Sequence, residues 1–216
     1  MTKRLAPGVE VLEPVNGDEL RFSQDAVDIV QKFFSLICFG QNEWAGKPFK
    51  LSTWQLRDCI RPFYGVQVKD EDGKWVRYRR FLYCEIPKKN GKTELSAGLG
   101  LYHLTCDGEK RPNVGIFAAD KENASQVYEA AKYMIEHTAL GQPQYDPLVW
   151  CRDSRREIRT KFGGKMKVYS SDADTKHGYS FSCIIVDSCT LSEIGNCGMF
   201  LRLDLIRRGG SRPSSF

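Results

Sequence analysis

Between an apolar run, Arg79 to Ile86 (RRFLYCEI), and a helical run, Lys92 to Thr105, the chain makes one short turn that ends in Gly91-Lys92-Thr93. A strand, a glycine-bearing turn and a helix in that order constrain the fold strongly. Gly91 lets the backbone turn tightly, so that successive N–H groups face one point, and the helix aims its positive end at the same point. That is a place for an anion. The stretch Ile86-Pro87-Lys88-Lys89-Asn90-Gly91-Lys92-Thr93 fits the later part of the pattern G-x-x-x-x-G-K-[ST], with Ile86 where the first glycine would stand. In such a loop Lys89, Asn90 and Gly91 wrap the phosphates, Lys92 supplies a point charge to the β and γ phosphates, and the Thr93 hydroxyl ligates Mg²⁺. G-K-T also occurs by chance, and the competing reading is a turn whose Lys88, Lys89 and Lys92 are merely solvated. The strand before and the helix after favour the phosphate loop.

A phosphate loop of this kind needs a carboxylate on a neighbouring strand. Cys183-Ile184-Ile185-Val186-Asp187 offers it, four apolar residues and then an acid, 95 residues after Lys92. Asp187 would hold the Mg²⁺ water shell, although an aspartate that simply ends a strand is common. The elements between agree with an alternating fold. Residues 1–22 lack periodicity and read as an extended arm. Ala26, Ile29, Val30, Phe33 and Ile37 predict a helix capped by Ser23, and a second short helix is expected from Thr53 to Pro62. Asp70 to Gly73 is a turn. Asn113 to Ala118 predicts a strand, Glu122 to Thr138 an amphipathic helix, 141–151 a Gly/Pro loop, and 157–160 with 165–170 a hairpin about Gly163-Gly164. The order implies an α/β domain with a mainly parallel sheet flanked by helices.

Composition excludes little else. With 41% hydrophobic residues the chain can bury a core, and no 18-residue apolar window predicts a transmembrane helix. No secretory signal is read at the N-terminus. The net charge of +5 permits a polyanionic partner without demanding one. The eight cysteines include no CxxC pair, so a zinc site has little support, and they read as reduced thiols of a cytoplasmic protein. His103, His137 and His177 share no metal-ligand spacing. The basic run Arg152, Arg155, Arg156, Arg159, Lys161, Lys165 and Lys167 suits a DNA backbone, a neighbouring subunit's site, or simply a solvated hairpin.

Several pieces, taken in order, resemble the ATPase domain of tailed-phage terminase large subunits, the motors that package DNA. Ser52-Thr53-Trp54-Gln55 is similar to the family's Trp-Gln element on the adenine side. Residues 86–93 resemble its deviant Walker A loop. Ala118-Ala119-Asp120 with Asn123-Ala124 resembles the strand-to-helix segment that follows, and Ser170 to Gly178 the loop ahead of Walker B. The resemblance covers about residues 25–187. It implies a P-loop ATP hydrolase fold over 23–187, behind an N-terminal arm of residues 1–22. ATP and Mg²⁺ would be the cofactors and double-stranded DNA the partner. A small terminase subunit and a portal protein would be further partners, copies of the chain would form a homo-oligomeric ring, and the setting would be the cytoplasm of a bacterial host with no membrane involved. Gln55 would read the adenine edge, Lys88 would contact the γ-phosphate, and Trp54 would stack or pack.

The pattern then breaks. The family places a catalytic glutamate directly after the Walker B aspartate, and here that position is Ser188. Serine is a poor base near neutral pH, so impaired hydrolysis is expected. Residues 188–216 read as an atypical tail, and on this reading the family's nuclease domain is expected to be missing. A truncated or frame-shifted product would account for both. The alternative reading is a non-catalytic nucleotide- or DNA-binding remnant of a prophage gene.

Overall fold

A computed structural model of the protein describes residues 4–6, 9–11, 18–87, 90–118, 121–142, 146–169, 180–188 and 196–203. The N-terminal part begins with three strands, β1 (Arg4–Ala6), β2 (Val9–Val11) and β3 (Leu20–Ser23), so the extended arm pairs into a sheet. Helix α1 (Gln24–Leu36) follows, with the Ser23 hydroxyl accepting from the Ala26 N–H as its cap. Its buried face is Val27, Val30, Phe33 and Phe34, while Ile29 is 55% exposed. The expected stripe is therefore rotated: packing is set by the 27/30/34 row, and Ile29 faces water.

The second helix is present but wound unevenly. A π-helical turn spans Gln55–Ile60 and leads into α2 (Arg61–Tyr64). Pro62 supplies the reason, because it has no N–H to donate and its ring crowds the carbonyl four residues back. The wide turn avoids that clash, and the Arg61 N–H reaches Leu56 O instead. Strands β4 (Val66–Lys69) and β5 (Trp75–Arg77) close a five-stranded antiparallel sheet in the order β1-β2-β3-β4-β5, and the predicted turn at Asp70 to Gly73 joins the last two.

The larger sheet holds β6 (Phe81–Pro87), β7 (Asn113–Ala118), β8 (Val149–Arg152), β9 (Glu157–Thr160), β10 (Lys165–Tyr169), β11 (Cys183–Ser188) and β12 (Asn196–Leu203). Helices α3 (Lys92–Thr105) and α4 (Lys121–Glu136) pack against it. The order is β6-β12-β11-β7-β10-β9-β8. β7 pairs in parallel with both β11 and β10, while β12 and β9 run the other way, so β6, β11, β7, β10 and β8 share one direction. The α/β class and mainly parallel sheet are as expected. Three details differ. β8 occupies the end of the expected 141–151 loop. β6 alternates rather than being buried throughout: Leu82 and Cys84 face inward, while Phe81 and Tyr83 are 57% and 59% exposed, because β6 lies at the sheet's edge. Finally, part of the stretch read as a tail forms β12, between β6 and β11.

Helix α3 is enclosed on all sides; every residue from Glu94 to Leu104 is buried. Two glycines permit this. A Cβ on Gly98 would lie 2.5 Å from a Phe34 ring carbon of α1, and one on Gly100 2.7 Å from the Met166 methyl of β10. Gly98→Ala is expected to destabilise the fold by about 1–3 kcal/mol through overpacking. A thermal melt some degrees below the parent's would show it, and an unchanged melt would mean α1 can move aside.

The C-terminal end of α3 carries a buried polar network. His103 Nε2 lies 2.8 Å from the Tyr64 hydroxyl, and its Nδ1 lies 2.9 Å from Asp107 Oδ2. Arg77 donates to the other Asp107 oxygen and lies 4.8 Å over the Tyr64 ring. His103 is 3% exposed. Its pKa is lowered by burial, against the opposing pull of Asp107. Burial pushes Asp107 up, but His103 and Arg77 outweigh it and the net shift is downward. Both shifts make the unfolded chain the stronger proton binder, so stability is full above the ordinary histidine value of about 6.5 and falls below it. Melts between about pH 8 and 5 should decline towards acid, and His103→Phe should flatten that decline.

Candidate functional site

The candidate phosphate loop is built where β6 ends. Asn90 Nδ2 donates to Pro87 O at 3.1 Å, folding the turn back on the strand end. Gly91 has φ 74° and ψ 21°, the left-handed region in which a side chain is strained, and it heads α3 without a side-chain cap. Leu95 N donates to Gly91 O at 3.0 Å as the first helical bond. Lys92 is buried (8% exposed) in the first turn of the helix, with Thr93 half-buried beside it. Beneath the loop the Cys84 thiol is held below the usual range, first by its hydrogen bond with Cys59 and then by the charge of Lys92, with burial opposing. Lys88 and Lys89 lie outside the described residues.

Gln55 comes to this loop from the π-helical turn. It is 6% exposed, and a Cβ placed on Gly91 would lie 4.0 Å from its Nε2. Its Oε1 accepts from Ser52 N at 2.9 Å, and the Ser52 hydroxyl accepts from Gln55 N at 3.4 Å. The two bonds fix the rotamer and leave the amide nitrogen on the side of Gly91. Trp54, in contrast, packs against the hydrophobic core.

Asp187 stands on β11, which points the same way as β6, so both strand ends lie at one end of the sheet. β12 sets their relative height: Met199 pairs with Cys84 on one side and with Asp187 on the other, and Gly198 pairs with Glu85 and Ser188. Asp187 is thus level with Cys84, two strand spacings away, about 10 Å. The backbone of Asp187 is described and its side chain is not. Carboxyl ends of strands are where open α/β sheets take their ligands. Mg²⁺ binds through one or two protein oxygens and substrate phosphates rather than a full protein cage. Thr93 and Asp187 suit that mode. Among the described residues no group of three or more His, Cys, Asp or Glu side chains gathers to hold a metal.

Glu94, which the sequence reading did not single out, is buried in the first turn of α3. Its Oε2 accepts from Gly40 N at 2.9 Å, its Oε1 finds no hydrogen-bond partner among the described residues, and burial raises its pKa. A carboxylate directly after G-K-T and inside an apolar helical run was the available signal. The basic run stands at the far edge of the same sheet. Arg155, Arg156 and Lys167 line a concavity of about 530 Å³, and Arg156 adopts φ 44°. Arg159 pairs with Glu157, and Lys161 with Asp146 at 2.5 Å. His137 is exposed and stacks on Tyr133, with ring centroids 3.7 Å apart. The Ser170–Gly178 loop, including His177, and Ala119-Asp120 lie outside the described residues. Among the described residues no helix is long and apolar enough to cross a membrane.

The family described as terminase large subunit, ATPase domain, matches residues 71–194. Among solved structures the chain is similar to the large terminase of bacteriophage HK97, with a TM-score of 0.55 and 23% identity over 74% of this chain and 30% of that one. At that identity the likeness is one of fold, and the chain spans less than a third of the HK97 protein's length. No curated protein matches.

Proposed function

Since the chain belongs to the terminase large subunit ATPase-domain family, we propose that it is the nucleotide-binding unit of a motor that couples ATP to the packaging of double-stranded DNA into a procapsid. The observation that carries this reading is the placement of Gln55 against Gly91 at the head of α3. One side chain for the base and one loop for the phosphates meet there. In this reading Gln55 donates its amide nitrogen to the adenine edge. The turn 89–91 and the first N–H groups of α3 face the phosphates, and Lys92 neutralises the β and γ groups. Lys88 contacts the γ-phosphate as a point charge without the bidentate fork of arginine. Thr93 and Asp187 hold Mg²⁺, which when bound neutralises charge developing on the phosphates. The basic concavity at the far edge suits the DNA backbone or a neighbouring copy in a ring. A small terminase subunit and a portal are further partners of such a motor, working in the cytoplasm of a bacterial host.

A thermal melt with and without Mg·ATP tests this reading. A ligand at about 100 times its Kd adds roughly 2.7 kcal/mol, so a rise of several degrees is expected. No rise at millimolar Mg·ATP would count against it. One observation favours a second reading for this chain, a nucleotide-binding remnant with little turnover: Ser188 follows Asp187 on β11 where the family has glutamate.

A further inference from the structure

Two segments of the core approach each other at both ends. At the upper end Gln55 meets Gly91, the residue before α3. At the lower end Tyr64, the last residue of α2, meets His103 near the end of α3, with 2.8 Å from hydroxyl to Nε2. Residues 55–64 therefore run parallel to α3, fastened at the base by one phenol. Proton placement along the fastening follows from its chemistry. Asp107 is ionised and accepts from His103 Nδ1–H, so neutral His103 presents the Nε2 lone pair and Tyr64 must donate. Arg77, from β5, holds Asp107 from the other side and lies over the Tyr64 ring.

The segment between the two approaches contains the π-helical turn, whose wide hydrogen-bond ring accommodates Pro62. Such turns are few and recur at functional sites. Ser52 sets the rotamer of Gln55 locally. It does not set how far along α3 the whole segment sits. We propose that the Arg77–Asp107–His103–Tyr64 network positions Gln55, fixing residues 55–64 in register against α3 and so setting the distance between the base-reading amide and the phosphate loop. Tyr64 and His103 are then positioning residues for base recognition, acting from the opposite end of α3. This rests on Gln55 being the adenine contact.

The test uses ATP and inorganic tripolyphosphate, each with Mg²⁺, in calorimetric titrations of the parent, Tyr64→Phe, Gln55→Ala and the double variant. Tyr64→Phe deletes only the hydroxyl that donates to His103. It should weaken ATP about three- to ten-fold, the scale of one hydrogen bond, and leave tripolyphosphate unchanged. On the Gln55→Ala background it should cost ATP nothing more, because it acts through Gln55. Equal losses for both ligands, no loss for either, or full additivity in the double variant would overturn the proposal. A parent that ignores tripolyphosphate would remove the phosphate-loop reading itself, and the proposal with it. A Gln55→Ala variant that binds ATP like the parent would remove the base contact and this proposal while leaving the loop standing. Should Tyr64→Phe lose its cooperative melt, Asp107→Asn, which alters the proton placement on His103, is judged by the same criteria.

Discussion

Lys92→Ala is expected to abolish measurable nucleotide binding, weakening Mg·ATP by about 100-fold or more. A charge-assisted hydrogen bond contributes roughly 1.5–3 kcal/mol, and a lysine spanning two phosphates makes more than one. The surroundings amplify the effect, because Lys92 is only 8% exposed and its charge meets the ligand partly shielded from water. Loss of binding should not come from loss of fold. Alanine is a good residue for the first turn of a helix, and the buried residues of α3 from Glu94 to Leu104 are untouched. The measurement is a titration with Mg·ATP beside a melt without ligand. Unchanged affinity would remove the phosphate-loop reading altogether.

The second large effect concerns turnover. The chain should hydrolyse ATP far more slowly than one per second, and Ser188→Glu should raise the rate by about 10²- to 10⁴-fold, the usual contribution of a positioned general base. β11 continues through Ser188, so a carboxylate introduced there starts from ordered backbone directly after Asp187. Its cross-strand neighbour is Gly198, which brings no side chain of its own. Phosphate release checks the rate, with the Lys92→Ala/Ser188→Glu double variant as the blank. A parent already working at about one turnover per second or faster would show that the base comes from elsewhere. Glu193, the nearest glutamate after Asp187 in the sequence, lies outside the described residues.

Much of the framework could be read from local pattern, because α1, α4 and the β9–β10 hairpin each bury a face that repeats locally, while α3, β7 and β11 are apolar runs. Gly91 was legible for a different reason, since the turn into α3 needs a left-handed residue there. What remained hidden depends on distant partners. Nothing local in FLYCEIP says that Phe81 and Tyr83 face outward; that follows from β6 standing at an edge. The π-helical turn has a visible cause in Pro62, but its length does not. Tyr64, Arg77, His103 and Asp107 come from separate elements and become a network only when α2, β5 and α3 meet. The adjacency of Gln55 and Gly91 was suggested by a family resemblance rather than by spacing.

The place of β12 bears on the order of assembly. Phe81 pairs through it with Arg202, and β11 with the same strand, so the two halves of the site share no ladder until that strand arrives. During synthesis β6 emerges long before it, whereas β11 comes directly ahead of it. β6 must wait with a row of unpaired amides and carbonyls, the condition that invites wrong pairing between chains. Closing a sheet over such a long stretch of sequence is also intrinsically slow. A nascent chain halted before residue 196 would carry the loop, the lysine and the aspartate, and still lack the strand that brings them into register.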